Sequence, residues 1–115
     1  MAVLTFYPLI HNEWVKTYKS IKIHNPFNGV NIAKVYLADG DFLDMAVESA
    51  LKGFQFSRRL SGNERYDLLT KIARGIESSR DKLAETIMSE SGKPIRFARQ
   101  EVERAQLTFQ WAAEE

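Results

Sequence analysis

The sequence predicts an α+β chain, with a β-hairpin near the N-terminus followed by three to four helices. Three observations predict it. Between Leu9 and Leu37 the apolar residues fall in short strand-like runs, Trp14 with Val15, then Ile21 with Ile23, then Ile32, Val35 and Leu37. Past Ala38 the apolar period lengthens from about two to about 3.6, the change from strand to helix geometry. The segments that follow are punctuated by helix caps and breakers.

Each element has its own local reason. Asn25-Pro26-Phe27-Asn28-Gly29 lies between two strand-like runs, and its Asn-Gly pair predicts a two-residue hairpin turn because both residues tolerate positive φ. Asp41 is placed to cap a first helix to about residue 57, with Ala46, Ala50, Gly53 and Phe54 at helical spacing. Ser61 with Glu64 three residues on is a capping box, opening a helix over 62–77 with Leu69, Ile72, Ala73 and Ile76 on one face. A third helix begins near Arg80, carries Leu83, Ile87 and Met88, and ends at Ser91-Gly92-Lys93-Pro94. There Gly92 supplies a left-handed cap, and Pro94 suits the first turn of the next helix. The last helix runs from Pro94 toward Glu115, its stripe Ile95, Ala98, Val102, Ala105, Phe109 and Ala112 opposed by Arg96, Gln100, Glu103 and Arg104.

Composition narrows the function classes. A chain of 115 residues is about one small domain, so one compact unit or a piece of one is expected. The hydrophobic share of 44% and charged share of 27% are those of a folded globular protein. Sixteen Lys and Arg against fifteen Asp and Glu, interleaved along the length, give no electrostatic case for nucleic acid or a membrane as partner. The ten residues Met1 to Ile10 lack a basic leader pattern and are too short to span a bilayer, which predicts a cytoplasmic protein. Cysteine is absent, which excludes disulfides, thiolate metal sites and a cysteine nucleophile in this chain.

The residues themselves disclose no active site. His11 and His24 lack a second ligand type at metal spacing and read as structural or solvent-exposed. The six glycines form neither a dinucleotide fingerprint nor a Walker loop. Lys93 before a helix start could attract an anion, but helix punctuation explains the corner better. Asp39 with Asp41, and Glu101 with Glu103, read as caps and surface charge rather than acid/base pairs. Trp14, Trp111, Phe54, Phe56 and Phe109 read as core rather than as a ligand-stacking surface.

Resemblance carries the reading further. In order, Asn12-Glu13-Trp14-Val15, Ile23 to Gly29, Ala46-Val47-Glu48-Ser49-Ala50, Glu64-Arg65 and Glu90-Ser91-Gly92-Lys93-Pro94 resemble the opening of the NAD(P)-dependent aldehyde dehydrogenase superfamily. The closing stretch, Gly92 to Ile95, Ala98-Arg99, Glu101 to Ala105, Thr108-Phe109 and Ala112 to Glu115, is similar to the branch that oxidises lactaldehyde, phosphonoacetaldehyde or, in a non-phosphorylating reaction, glyceraldehyde 3-phosphate. One departure stands at His11-Asn12, where the family usually has Asn-Gly before Glu-Trp, so the local hairpin geometry is the feature in question.

The resemblance implies an α/β, Rossmann-like complete enzyme, of which residues 1–115 form the N-terminal part of the cofactor-binding domain, 1–38 as strands and turns and 39–115 as helices, without the catalytic domain. It implies oxidation of an aldehyde to an acid through a cysteine thiohemiacetal, with hydride passing to NAD or NADP and a glutamate activating water. Neither Glu90 nor Glu101 is assigned that last role. This chain is expected to bind no cofactor, to be inactive alone, and to associate with the remainder of the enzyme or with itself through the helix 94–114. The resemblance also implies a monovalent cation site drawing on the carbonyls of Ile23 and His24, the carboxylate of Glu101 and a third portion expected beyond Glu115. The competing reading is a stand-alone helical interaction or oligomerisation module, in which the stripe from Ile95 to Ala112 docks on a partner.

Overall fold

The computed structural model describes residues 3–115, which divide into two compact units, the first running to Arg59 and the second Leu60–Glu115. The first holds the strands and one helix: β1 (Leu4–Phe6), β2 (Leu9–Ile10), β3 (Glu13–Trp14), β4 (Lys19–His24), β5 (Asn31–Leu37) and α1 (Gly40–Ser57). The strands form a three-stranded sheet in the order β1-β5-β4 and a two-stranded ribbon of β2 with β3.

The expected hairpin is β4 with β5, antiparallel from Lys19 opposite Leu37 to His24 opposite Asn31. Its turn differs from the two-residue form. The loop spans 25–30, closed by the Asn25 N–H donating to the Val30 carbonyl at 2.9 Å and the Gly29 N–H to the Asn25 carbonyl at 2.8 Å. Asn25 Oδ1 accepts the Phe27 N–H at 2.9 Å and Asn28 Oδ1 accepts the Val30 N–H at 3.1 Å. These side chains capture backbone donors that a two-residue turn leaves to the ladder, so the loop is wider and positive φ is needed at Gly29 (71°) but not at Asn28.

The tight primed geometry stands instead between β2 and β3. His11 (φ 53°) and Asn12 (φ 63°) are both left-handed there, Ile10 pairs with Glu13, and the Val15 N–H donates to the Pro8 carbonyl at 2.9 Å. The departure from Asn-Gly therefore keeps the hairpin while placing a histidine in a conformation that disfavours side chains. A further strand, β1, runs parallel to β5 with Leu4 opposite Ala33 and Phe6 opposite Val35. It was not expected, because three residues carry little periodicity and the partner is distant in sequence.

Among the described residues of this unit, Ile10, Ala33 and Thr17 are buried. Helix α1 begins at the predicted place, yet Asp41 lies in its first turn and Asp39 holds the N-cap position without a side-chain cap bond. Asp41 therefore acts through the helix dipole. Asp39 pairs with Lys19 at 3.5 Å, both exposed.

The second unit is α2 (Gly62–Ser78), α3 (Arg80–Ser91) and α4 (Ile95–Glu114). The Ser61–Glu64 capping box forms in full, with the Glu64 N–H on Ser61 Oγ at 3.3 Å and the Ser61 N–H on Glu64 Oε2 at 2.7 Å. Its core is Ala84, Ala98 and Val102, with Ile76, Ile87 and Ile95 packed against them. Ala84 and Ala98 are fully buried, and alanine at such positions lets helix backbones approach closely. Gly92 takes the left-handed cap (φ 72°), and its N–H donates to the Met88 carbonyl at 3.0 Å. Pro94 is the N-cap of α4 rather than its first residue, its carbonyl accepting from Phe97 N–H at 2.9 Å.

Candidate functional site

The chemistry-bearing residues fall at different places in the two units. In the first, His11 occupies the β2–β3 turn and His24 the exposed end of β4, next to half-buried Ile23. A register irregularity lies between Ile23 and His24. Glu101 belongs to the second unit, in the second turn of α4. Among the described residues no group of three or more His, Cys, Asp or Glu could hold a metal ion, and no helix is long and apolar enough to cross a membrane.

The corner between α3 and α4 is the most organised cluster. Gly92 turns the chain, Ser91 Oγ accepts the Lys93 N–H at 3.3 Å, and Pro94 (φ −54°, ψ 136°) sets the direction of α4. This arrangement aims Lys93 across the corner, where its Nζ donates to Glu101 Oε2. Both side chains are about two-fifths exposed, at 39% each. The Lys93 hydrogen bond, and then its charge, hold the Glu101 carboxyl below the usual carboxylate range; partial desolvation opposes this and Arg104 adds to it. The ammonium is therefore directed at a carboxylate rather than outward to an anion.

Glu103 lines a groove of about 200 Å³ with Glu77, Arg80, Arg99 and Gln106. A neighbouring groove of about 250 Å³ between α2 and α4 is lined by Tyr66, Thr70, Arg74, Gln106 and Gln110 among others. Both mix acidic and basic groups, and Glu101 lines neither of them.

The aromatic reading is corrected. Trp14 is 71% exposed, Phe56 72%, Trp111 66% and Phe54 55%, while Phe109 is half-buried. Helical spacing tells which residues share a face but not what lies against that face. None of the residues of α1 is buried, although Leu43, Val47, Leu51, Phe54 and Phe56 stand on it. On α4 the stripe of Ile95, Ala98 and Val102 packs within the helical unit. Phe97, Leu107 and Trp111 lie on the side shared with Gln100 and Arg104, which is thus not a purely polar face. The Lys93–Glu101 contact was missed on sequence. An eight-residue separation matches no helical pairing rule and becomes close only when the corner folds back.

Comparison with known proteins assigns the segment. The aldehyde dehydrogenase family pattern matches residues 14–115. The chain is 35% identical over 106 residues to a 3-sulfolactaldehyde dehydrogenase from Priestia aryabhattai, a match covering 92% of this chain and 22% of the relative. It is 34% identical over 95 residues to a lactaldehyde dehydrogenase from Methanococcus maripaludis, covering 83% of this chain and 20% of that one. Among solved structures, aldehyde dehydrogenase 21 from Physcomitrella patens, in complex with succinate, superposes with a TM-score of 0.92 at 29% identity over 99% of this chain and 24% of its own. An NADP-dependent glyceraldehyde-3-phosphate dehydrogenase from Bacillus halodurans, complexed with NADP, gives 0.91 at 26% identity over 96% of this chain and 24% of that one. The chain thus spans between a fifth and a quarter of the length of these four relatives, and it belongs to the aldehyde dehydrogenase family.

Proposed function

We propose that these residues are the N-terminal segment of the cofactor-binding domain of an enzyme that oxidises a small aldehyde to its carboxylic acid with NAD or NADP. In this reading the segment braces the rest of the enzyme and does not perform the chemistry. The observation that carries it is the run of large apolar side chains left in solvent on α1 and on the outer side of α4, in a chain matched to this family over residues 14–115. Each such residue leaves roughly 1.5 to 3 kcal/mol unrealised in water, so faces of this kind are built to be covered.

The residues present do not suit NAD(P). No glycine-rich phosphate loop occurs among the six glycines, and the chain has no cysteine to form a thiohemiacetal. Cofactor and thiolate sites are assigned to the remainder of the enzyme, whose cytoplasmic location and oligomeric form belong to the same proposal. The relatives named for lactaldehyde and sulfolactaldehyde point to a short hydroxylated or anionic aldehyde as substrate. Purified chain is expected to produce no NADH or NADPH from lactaldehyde above a heat-killed control, and to show no saturable cofactor binding by calorimetry at micromolar strength. Steady turnover or such binding contradicts the proposal.

A further inference from the structure

We propose that Lys93 is the built-in counter-cation of Glu101, so that this carboxylate clasps the α3–α4 corner and is closed to a metal ion. The resemblance assigns Glu101 to a monovalent cation site, and the geometry here does not fit that role. The Lys93 Nζ already donates to Glu101 Oε2. It is delivered by a rigid corner: a left-handed Gly92, a backbone N–H fixed on Ser91 Oγ, and a proline directly after it. A tethered ammonium in that position pays no translational cost on each encounter, whereas a hydrated sodium or potassium ion must be drawn from bulk and shed water. Arg104, one helical turn along α4, adds a second positive field at the same carboxylate. A hard cation also needs several oxygen ligands, and among the described residues Glu101 belongs to no group of three or more His, Cys, Asp or Glu that could hold a metal ion.

The pairing has a structural consequence of its own. Lys93 lies between the two helices and Glu101 inside α4, so their contact ties the corner to the helix whose Ala98 and Val102 pack with Ala84 of α3.

Two measurements on the 115-residue chain test this. The sodium-23 resonance of a dilute sodium chloride solution should be equally narrow with the wild-type chain and with Glu101→Gln; broadening by the wild type that Glu101→Gln abolishes overturns the proposal. In a double-mutant cycle with Lys93→Met and Glu101→Gln, followed by urea unfolding, the pair should be coupled by about two- to five-fold in the unfolding constant. Wild-type midpoints should agree in sodium, potassium and tetramethylammonium chloride at equal ionic strength. Additive losses, or specific stabilisation by sodium or potassium, overturn it. Sodium linewidths need no cooperative transition, so they decide the matter even if a variant unfolds.

Discussion

Truncating Val102 to alanine tests whether the helical unit is held where its buried cluster lies. Val102 is 5% exposed and packs with Ala84 and Ala98, both fully buried, inside a rim of Ile76, Ile87 and Ile95. Val102→Ala removes two methyl groups, about 1.6 kcal/mol of transfer energy at roughly 0.8 each. The alanine neighbours have no side-chain freedom with which to fill the space, so a cavity penalty of about 1 kcal/mol is added. Alanine recovers roughly 0.5 kcal/mol through its better helix propensity, leaving a net loss of about 2 kcal/mol. Trp111→Ala deletes a much larger side chain that is 66% exposed, and should cost under about 0.5 kcal/mol in dilute monomeric chain. Urea unfolding followed by helical circular dichroism, at low micromolar concentration, measures both. A Val102→Ala chain within about 0.5 kcal/mol of wild type, or a Trp111→Ala chain that loses as much, refutes the assignment of the core.

Other perturbations follow from local geometry. Ser61→Ala removes the hydroxyl half of the capping box, the acceptor of the Glu64 N–H, and should lower stability by about 1 kcal/mol, read by the same urea midpoint. Glu64 adds a pH dependence. Its carboxyl is held below the usual range by the Ser61 N–H and then by the Ser61 hydroxyl, so its contribution is complete above the ordinary glutamate pKa and is lost as pH falls through the depressed folded value. The difference between wild type and Glu64→Gln should therefore shrink between neutral pH and about pH 3, and an unchanged gap contradicts the capping carboxylate as its source. At the β2–β3 turn, His11→Asn combined with Asn12→Gly places the residues best suited to two left-handed conformations and should raise stability by about 0.5 to 1 kcal/mol in thermal unfolding; no gain argues against the positive φ values.

Much of the fold was legible because its signals are local. Ser61 and Glu64 sit three residues apart and need no tertiary partner to cap α2, and Gly92 before Lys93-Pro94 dictates the corner by backbone sterics. Non-local features stayed hidden. β1 becomes a strand only beside β5, and Asn25 and Asn28 widened a turn that the Asn-Gly pair alone would have kept tight. The same limit governs the candidate site. Periodicity grouped Ile95, Ala98 and Val102 correctly, but gave no sign that Trp14, Phe56 and Trp111 face solvent, since exposure depends on what packs against each face. Lys93 and Glu101 meet across a bend, so no helical spacing rule pairs them.

In the proposed function the bare faces of α1 and α4 are covered by the rest of an aldehyde dehydrogenase. Several exposed residues, each forgoing roughly 1.5 to 3 kcal/mol, rival the 5 to 15 kcal/mol that holds a small domain together. Sedimentation velocity of the isolated chain across a concentration series tests this most directly. The account predicts concentration-dependent association or an expanded, dye-binding species, and predicts that Leu51→Glu with Trp111→Glu, at positions 61% and 66% exposed, suppresses association without loss of helix. A compact monomer at every concentration, with no dye binding, would contradict it.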